Sequence, residues 1–215
     1  GKEAYNYLLE MRKLVRYLDI CDGNMEEGSM RCDVNVSIMP IGSKEFGQRV
    51  EVKNMNSISN VEKAIEYEIV RLAGVIDSGG TVLQETRNFD ANTGETIALR
   101  KKEDAHDYRY FPEPDLTALH ITQDYINEVK KNLPALPNDL YKKYVIKLQL
   151  SDYDANNLTD SKGIALYFEE LIAHTKNFKA AANWMMGSVK SYLNQNALEI
   201  EDFPIAPEKI AQLIQ

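Results

Sequence analysis

Met25-Glu26-Glu27-Gly28-Ser29-Met30-Arg31-Cys32-Asp33-Val34-Asn35-Val36-Ser37, followed after a loop by Arg49-Val50-Glu51-Val52-Lys53-Asn54-Met55-Asn56, sets the architecture of the first half of the chain. Successive side chains of a strand point to opposite faces. Met30, Cys32, Val34, Val36 and Ile38 therefore share one side, and Arg31, Asp33, Asn35 and Ser37 the other. The second run repeats the pattern, with Val50 and Val52 against Arg49, Glu51 and Lys53. Pro40, Gly42 and Gly47 lie between the runs. The spacing predicts an antiparallel hairpin over roughly residues 29–54, apolar below and polar above.

Working outward, residues 3–18 predict an amphipathic helix carrying Tyr5, Leu8, Leu9, Met11, Val15 and Leu18 at helical spacing. Ser59-Asn60-Val61-Glu62 reads as a capping box opening a second helix, with Val61, Ile65, Ile69, Leu72 and Ile76 on its apolar face. Gly79-Gly80 ends that helix. Thr81–Phe89 and Glu95–Lys102 predict a second hairpin around Asp90-Ala91-Asn92-Thr93-Gly94. Past the proline-bearing segment 106–116 the pattern turns helical: 123–132, 138–150, 151–157, 163–174, 177–194, and a last helix opening at Pro207. The expected class is α+β, with a sheet-bearing domain over residues 1–117 and an all-α domain over 118–215.

Composition narrows the function. The chain has 215 residues, is 44% hydrophobic and carries a net charge of −8. Residues 1–116 hold 15 Lys/Arg against 21 Asp/Glu, and residues 117–215 hold 10 against 12, so neither part is basic. A protein that binds nucleic acid by bulk electrostatics shows the opposite sign. Cys21 and Cys32 lack zinc-ligand spacing, and two thiols in this length fit a reducing compartment. No signal-peptide pattern and no apolar run of about 18 residues is read in these residues, so no membrane is expected. The chain enters a helical pattern directly from Gly1 and stops at Gln215 within another, so part of a longer protein is expected.

The polar face of the first hairpin has two readings. One is a solvated sheet face with cross-strand ion pairs. The other is a site, because Asp and Asn are poor strand formers and Arg31, Asp33, Asn35 and Lys53 suit phosphate and a metal. Glu26 and Glu27 are surface acids before a turn, or carboxylates at the mouth of that site. His106, Tyr108, Arg109 and Tyr110 either pack as a connecting loop or close over a ligand, with Arg109 on phosphate. Trp184, Met185 and Met186 read as core. No Walker A, dinucleotide-binding glycine pattern or GxSxG elbow occurs, so any ATP would lie on a sheet face.

These residues resemble a known family. Residues 25–37 look like the signature of the GatB/GatE family, the B subunits of aspartyl/glutamyl-tRNA amidotransferases. Glu51–Ser57, Gln84-Glu85-Thr86-Arg87, Asp107–Asp115, Leu133-Pro134-Ala135-Leu136-Pro137 and Ala182–Gly187 are similar to its further motifs, in order along the chain. The resemblance implies a glutamine synthetase/guanido-kinase-like antiparallel-sheet cradle followed by a helical domain on the tRNA side. It implies ATP- and Mg²⁺-dependent phosphorylation of the Glu or Asp side chain on misacylated Glu-tRNA(Gln) or Asp-tRNA(Asn). Ammonia then displaces the phosphate. The implied partners are an amidase, the A subunit, and a small C subunit, in a bacterial cytoplasm or an organelle. From their shared face beside the family motif, Asp33 and Glu26 are expected near Mg²⁺ or the activated carboxylate, Arg31 and Lys53 on phosphate or the charged intermediate, and Asn35 in a positioning role. The family's cradle begins before Gly1 and its tail domain follows Gln215, so this chain alone is expected not to catalyse. A non-catalytic tRNA-binding scaffold, or a ligase acting on a small carboxylate, are the competing functions.

Overall fold

Two hairpins joined by a long helix build the first half of the protein, and short helices build the second. The computed structural model describes residues 1–101 and 115–214, and the readings on His106, Tyr108, Arg109 and Tyr110 lie outside them. The chain divides into two compact units, residues 1–12 with 21–128, and residues 13–20 with 129–215. Helix α1 (Lys2–Tyr17) thus contributes its first turns to one unit and its last to the other.

In the first unit, β1 (Val34–Val36), β2 (Val50–Lys53), β3 (Glu85–Asp90) and β4 (Glu95–Lys101) form one sheet in the order β1-β2-β3-β4. Both hairpins are antiparallel, but β2 and β3 run parallel, so the all-antiparallel expectation is corrected to a mixed sheet. The cause is α2 (Ile58–Asp77), which carries the chain back over the sheet so that β3 enters in the direction of β2. The first hairpin is shorter than its alternation suggests. Residues 30–33 are irregular, and pairing is confined to Val34–Val52, Asn35–Glu51 and Val36–Val50.

The lower face of the sheet holds the core. Val50 and Val52 are fully buried and pack with Leu8, Val36, Val61, Leu72 and Phe89. Each such side chain is worth about 1.5–3 kcal/mol on burial. The buried stripe of α2 is Ile58, Val61, Ala64, Glu68 and Leu72, rotated from the predicted one, while Ile69 and Ile76 are exposed. A fully buried glutamate within that stripe displaces the apolar pattern. Glu68 is held by Arg71 (Nη2 to Oε2, 2.7 Å), Arg87 (Nε to Oε1, 3.2 Å) and the Thr96 hydroxyl. Arg87 also pairs with Glu85 at 2.6 Å and donates to the Thr96 carbonyl at 2.6 Å. The network ties α2 to both strands of the second hairpin.

The predicted cap of α2 moves by two residues. Ser57, not Ser59, is the N-cap: it sits in extended backbone and accepts from the Asn60 amide at 3.1 Å. The Asn60 side chain bonds back to Asn56 at 2.8 Å, so Asn takes the place in the first turn that the sequence reading gave to Glu62. Ser57→Ala is therefore expected to cost about 1 kcal/mol, and Ser59→Ala less than about 0.5 kcal/mol, in urea unfolding. Gly79, at φ +76°, lets the chain leave the helix and donates to the Ile76 carbonyl, as Gly79-Gly80 predicted.

The second unit is helical. It comprises α3 (Gln123–Asn132, which begins in the first unit), α4 (Pro137–Lys142), α5 (Asp152–Leu158), α6 (Lys162–Ala173), α7 (Phe178–Trp184), α8 (Lys190–Asn196) and α9 (Pro207–Ile214). The runs read as continuous over 138–150 and 177–194 each contain a five-residue π-helical stretch, Lys143–Lys147 and Met185–Val189. Tyr144 and Phe168 meet edge to face at 5.1 Å in the core, with Met185 buried beside them and Trp184 packed on its margin. Tyr17 belongs to the same core, its hydroxyl donating to the Thr159 carbonyl at 2.8 Å. Burial pushes the Tyr17 phenol well above its ordinary pKa. Ser151 caps α5 and donates to Asp154, whose carboxyl the Lys179 ammonium, 2.5 Å away, holds below the usual carboxylate range.

Candidate active site

The segment before β1 is shaped by local side-chain bonds. The Asn24 amide donates to Asp22 Oδ1 at 2.9 Å, and Asn24 Oδ1 accepts from the Glu26 amide at 3.0 Å. These are turns in which an Asx side chain stands in for backbone. Those two bonds begin the turn, and Gly28 at φ +82° continues it, in a conformation that side-chain-bearing residues rarely adopt. Glu26 and Glu27 are thereby left exposed at the rim of a cleft of about 660 Å³. Arg31, Cys32, Asp33 and Lys53 line the same cleft. At its other end Asn54 stands at φ +68°, which Asn tolerates, and turns the chain from β2 toward α2.

Lys53 is the centre of the charge arrangement. Its Nζ lies 2.6 Å from Asp33 Oδ2 and 3.2 Å from Glu51 Oε1. The hydrogen bond it donates to Asp33, and then the one it donates to Glu51, raise the Lys53 pKa, so the ammonium is charged at any working pH. Glu51 accepts in turn from the buried Thr86 hydroxyl at 3.0 Å. Asp33, Lys53, Glu51 and Thr86 thus make one polar row from the cleft into the sheet. Burial, followed by the Asp33 charge, pushes the Cys32 thiol up, so it stands in the cleft wall as a neutral group.

The structure brings Glu26, Arg31, Asp33 and Lys53 to one cleft. Asn35 lies outside that lining, exposed on β1 and paired in register with Glu51. Arg109 lies outside the described residues. Sequence reasoning missed Glu51 and Thr86 as members of the row. Glu51 was visible as a same-face neighbour of Lys53, but Thr86 becomes its partner only through the parallel register Glu51–Thr86. Among the described residues no three His, Cys, Asp or Glu side chains converge on a point. Asp33 and Glu26 still suit Mg²⁺ carried on a polyphosphate, which takes one or two protein carboxylates and completes its shell with phosphate and water. Among the described residues no helix is long and apolar enough to cross a membrane.

Comparison with known proteins gives the family of the chain. Residues 1–127 match the GatB/GatE catalytic domain, and residues 166–215 match a GatB domain. Relatives named as the B subunit of aspartyl/glutamyl-tRNA(Asn/Gln) amidotransferase include those of Trichlorobacter lovleyi, 52% identical over 99% of this chain, and Geobacter sulfurreducens, 51% identical over 99%. That of Crocosphaera subtropica is 48% identical over 100%. The chain spans 45%, 44% and 43% of those three relatives, respectively. The catalytic-domain match covers more than half of the 215 residues, and on that ground the chain belongs to the GatB/GatE family.

Proposed function

We propose that the cleft is one wall of a site that activates a carboxylate by phosphoryl transfer from ATP. The carboxylate is the side chain of Glu or Asp misacylated on tRNA(Gln) or tRNA(Asn), and the protein is the B subunit of a glutamine-dependent amidotransferase. The observation that supports this most is the row Asp33–Lys53–Glu51–Thr86 leading out of a cleft that also presents Arg31 and Glu26. A solvated sheet face needs neither a buried hydroxyl behind its ion pair nor carboxylates at its mouth.

In this reading a carboxylate oxygen of the substrate bonds to the γ-phosphorus of ATP, the bond to the β-phosphate oxygen breaks, and ADP leaves. Ammonia then attacks the acyl carbon, phosphate departs, and the amide remains after loss of a proton. Lys53 and Arg31 stabilise the charge that spreads over the phosphoryl oxygens. Asp33 and Glu26 would hold Mg²⁺, which when bound neutralises phosphate charge. Asn35 stands beside Glu51 and orients the polar row, and Arg109 is assigned to phosphate. The sheet is assigned to a glutamine synthetase/guanido-kinase-like cradle, which handles nucleotide without a P-loop. The amidase (the A subunit) supplies ammonia, the small C subunit is the third member of the complex, and the assembly works in the cytoplasm. Among the described residues the donors form one wall of the cleft, and the 215-residue chain is proposed to be inactive alone.

ADP release tests the reading in the complete complex. Release should require ATP together with misacylated tRNA, and neither free glutamate nor uncharged tRNA should replace it. Release with free glutamate alone would favour a small-carboxylate ligase. Binding of charged tRNA without any ADP would favour a scaffold.

A further inference from the structure

We propose that Thr86 is a positioning residue for this cleft: its hydroxyl fixes the Glu51 carboxylate, and through that carboxylate the Lys53 ammonium. The proposal rests on the phosphoryl-transfer reading above and adds what holds the phosphate-facing cation in place. Thr86 is not part of the cleft lining and is only 2% exposed. Its Oγ1 donates to Glu51 Oε2 at 3.0 Å, while the other carboxylate oxygen lies 3.2 Å from Lys53 Nζ. Glu51 and Thr86 are register partners across the parallel β2–β3 pair, so the backbone ladder fixes where both side chains start.

The two carboxylates on Lys53 are not equivalent. Glu51 is 17% exposed and anchored from behind, whereas the Asp33 side chain is 51% exposed and comes from the irregular segment before β1. A lysine side chain is a flexible four-carbon stem ending in a point charge, and alone it samples many rotamers. With Glu51 held by Thr86, the ammonium keeps one fixed partner even when Asp33 turns to a ligand. Such support from behind a reacting group carries roughly 10- to 100-fold in rate.

Thr86→Val keeps the shape and removes the hydroxyl, and Thr86→Ser restores it. In the complete complex, Thr86→Val is expected to lower kcat for tRNA-dependent ADP release by roughly 10-fold or more with KM for ATP nearly unchanged. Thr86→Ser is expected to recover most of that loss. A crystal structure of Thr86→Val is expected to show Lys53 Nζ displaced from Glu51. Wild-type kcat in Thr86→Val, or a loss that Thr86→Ser leaves unrepaired, overturns the proposal. A wild-type complex that releases no ADP defeats the parent reading instead. The crystal structure then decides the positioning role alone, and an unmoved Lys53 in Thr86→Val overturns it.

Discussion

Glu68→Ala is expected to destabilise the first unit by about 3–5 kcal/mol, the cost of stripping one partner from a buried ion-pair network. Glu68 is fully buried and faces two guanidinium groups, Arg71 and Arg87, and among the described residues Glu85 is the second acid paired with them. Removing it leaves two cations sharing one carboxylate beneath the sheet, and leaves the Thr96 hydroxyl without its acceptor. The damage falls on the junction of α2 with β3 and β4, the strands that carry Thr86 and its motif. Urea unfolding followed within that unit measures it. Lys63→Ala, at an exposed position on the same helix, is the comparison and should stay within about 0.5 kcal/mol. Equal stability of Glu68→Ala and the parent protein would mean that the network contributes nothing net.

Lys53→Ala is expected to lower phosphoryl transfer by about 100- to 1,000-fold, on the scale of losing one charge-stabilising donor in an active site. Two carboxylates hold its ammonium at the open end of a polar row that runs back to the buried Thr86 hydroxyl. Removing it takes away the cation that bridges Asp33 and Glu51 where a polyphosphate is to lie. In the proposed complex glutamine hydrolysis belongs to a separate amidase subunit, so glutaminase activity is expected to persist. A parallel loss of both activities would point to collapse of the assembly rather than to the cleft.

Much of this architecture is legible in the sequence, for identifiable reasons. Helix ends marked by Gly79 or by Pro137 and Pro207 fall where turn chemistry puts them. The lower face of the sheet follows from the alternation of Val34, Val36, Val50 and Val52. What escaped depends on contacts between distant segments. Glu68 breaks the apolar stripe of α2 because its partner Arg87 arrives from β3, nineteen residues on in the chain but adjacent in space. Local periodicity assigns such a glutamate to solvent. Tyr17 was likewise outside the predicted apolar set, and its place is set by carbonyls at Thr159 and Ser161. At the site, a strand's polar face grouped Arg31, Asp33 and Lys53 from alternation alone, although only Lys53 lies in a strand. Glu26 came from its place at the mouth. Thr86 needed the β2–β3 register, which no reading of either hairpin by itself supplies.

The most direct measurement is transfer of label from [γ-³²P]ATP to misacylated tRNA in the complete complex, with ammonia withheld, for the parent protein, Lys53→Ala and Asp33→Ala. The predicted result is labelled aminoacyl-tRNA with the parent protein and almost none with either variant, while glutamine hydrolysis, assayed in separate reactions, continues in all three. Undiminished labelling with Asp33→Ala and Lys53→Ala would contradict the account, because phosphoryl transfer would then proceed without the face assigned to it.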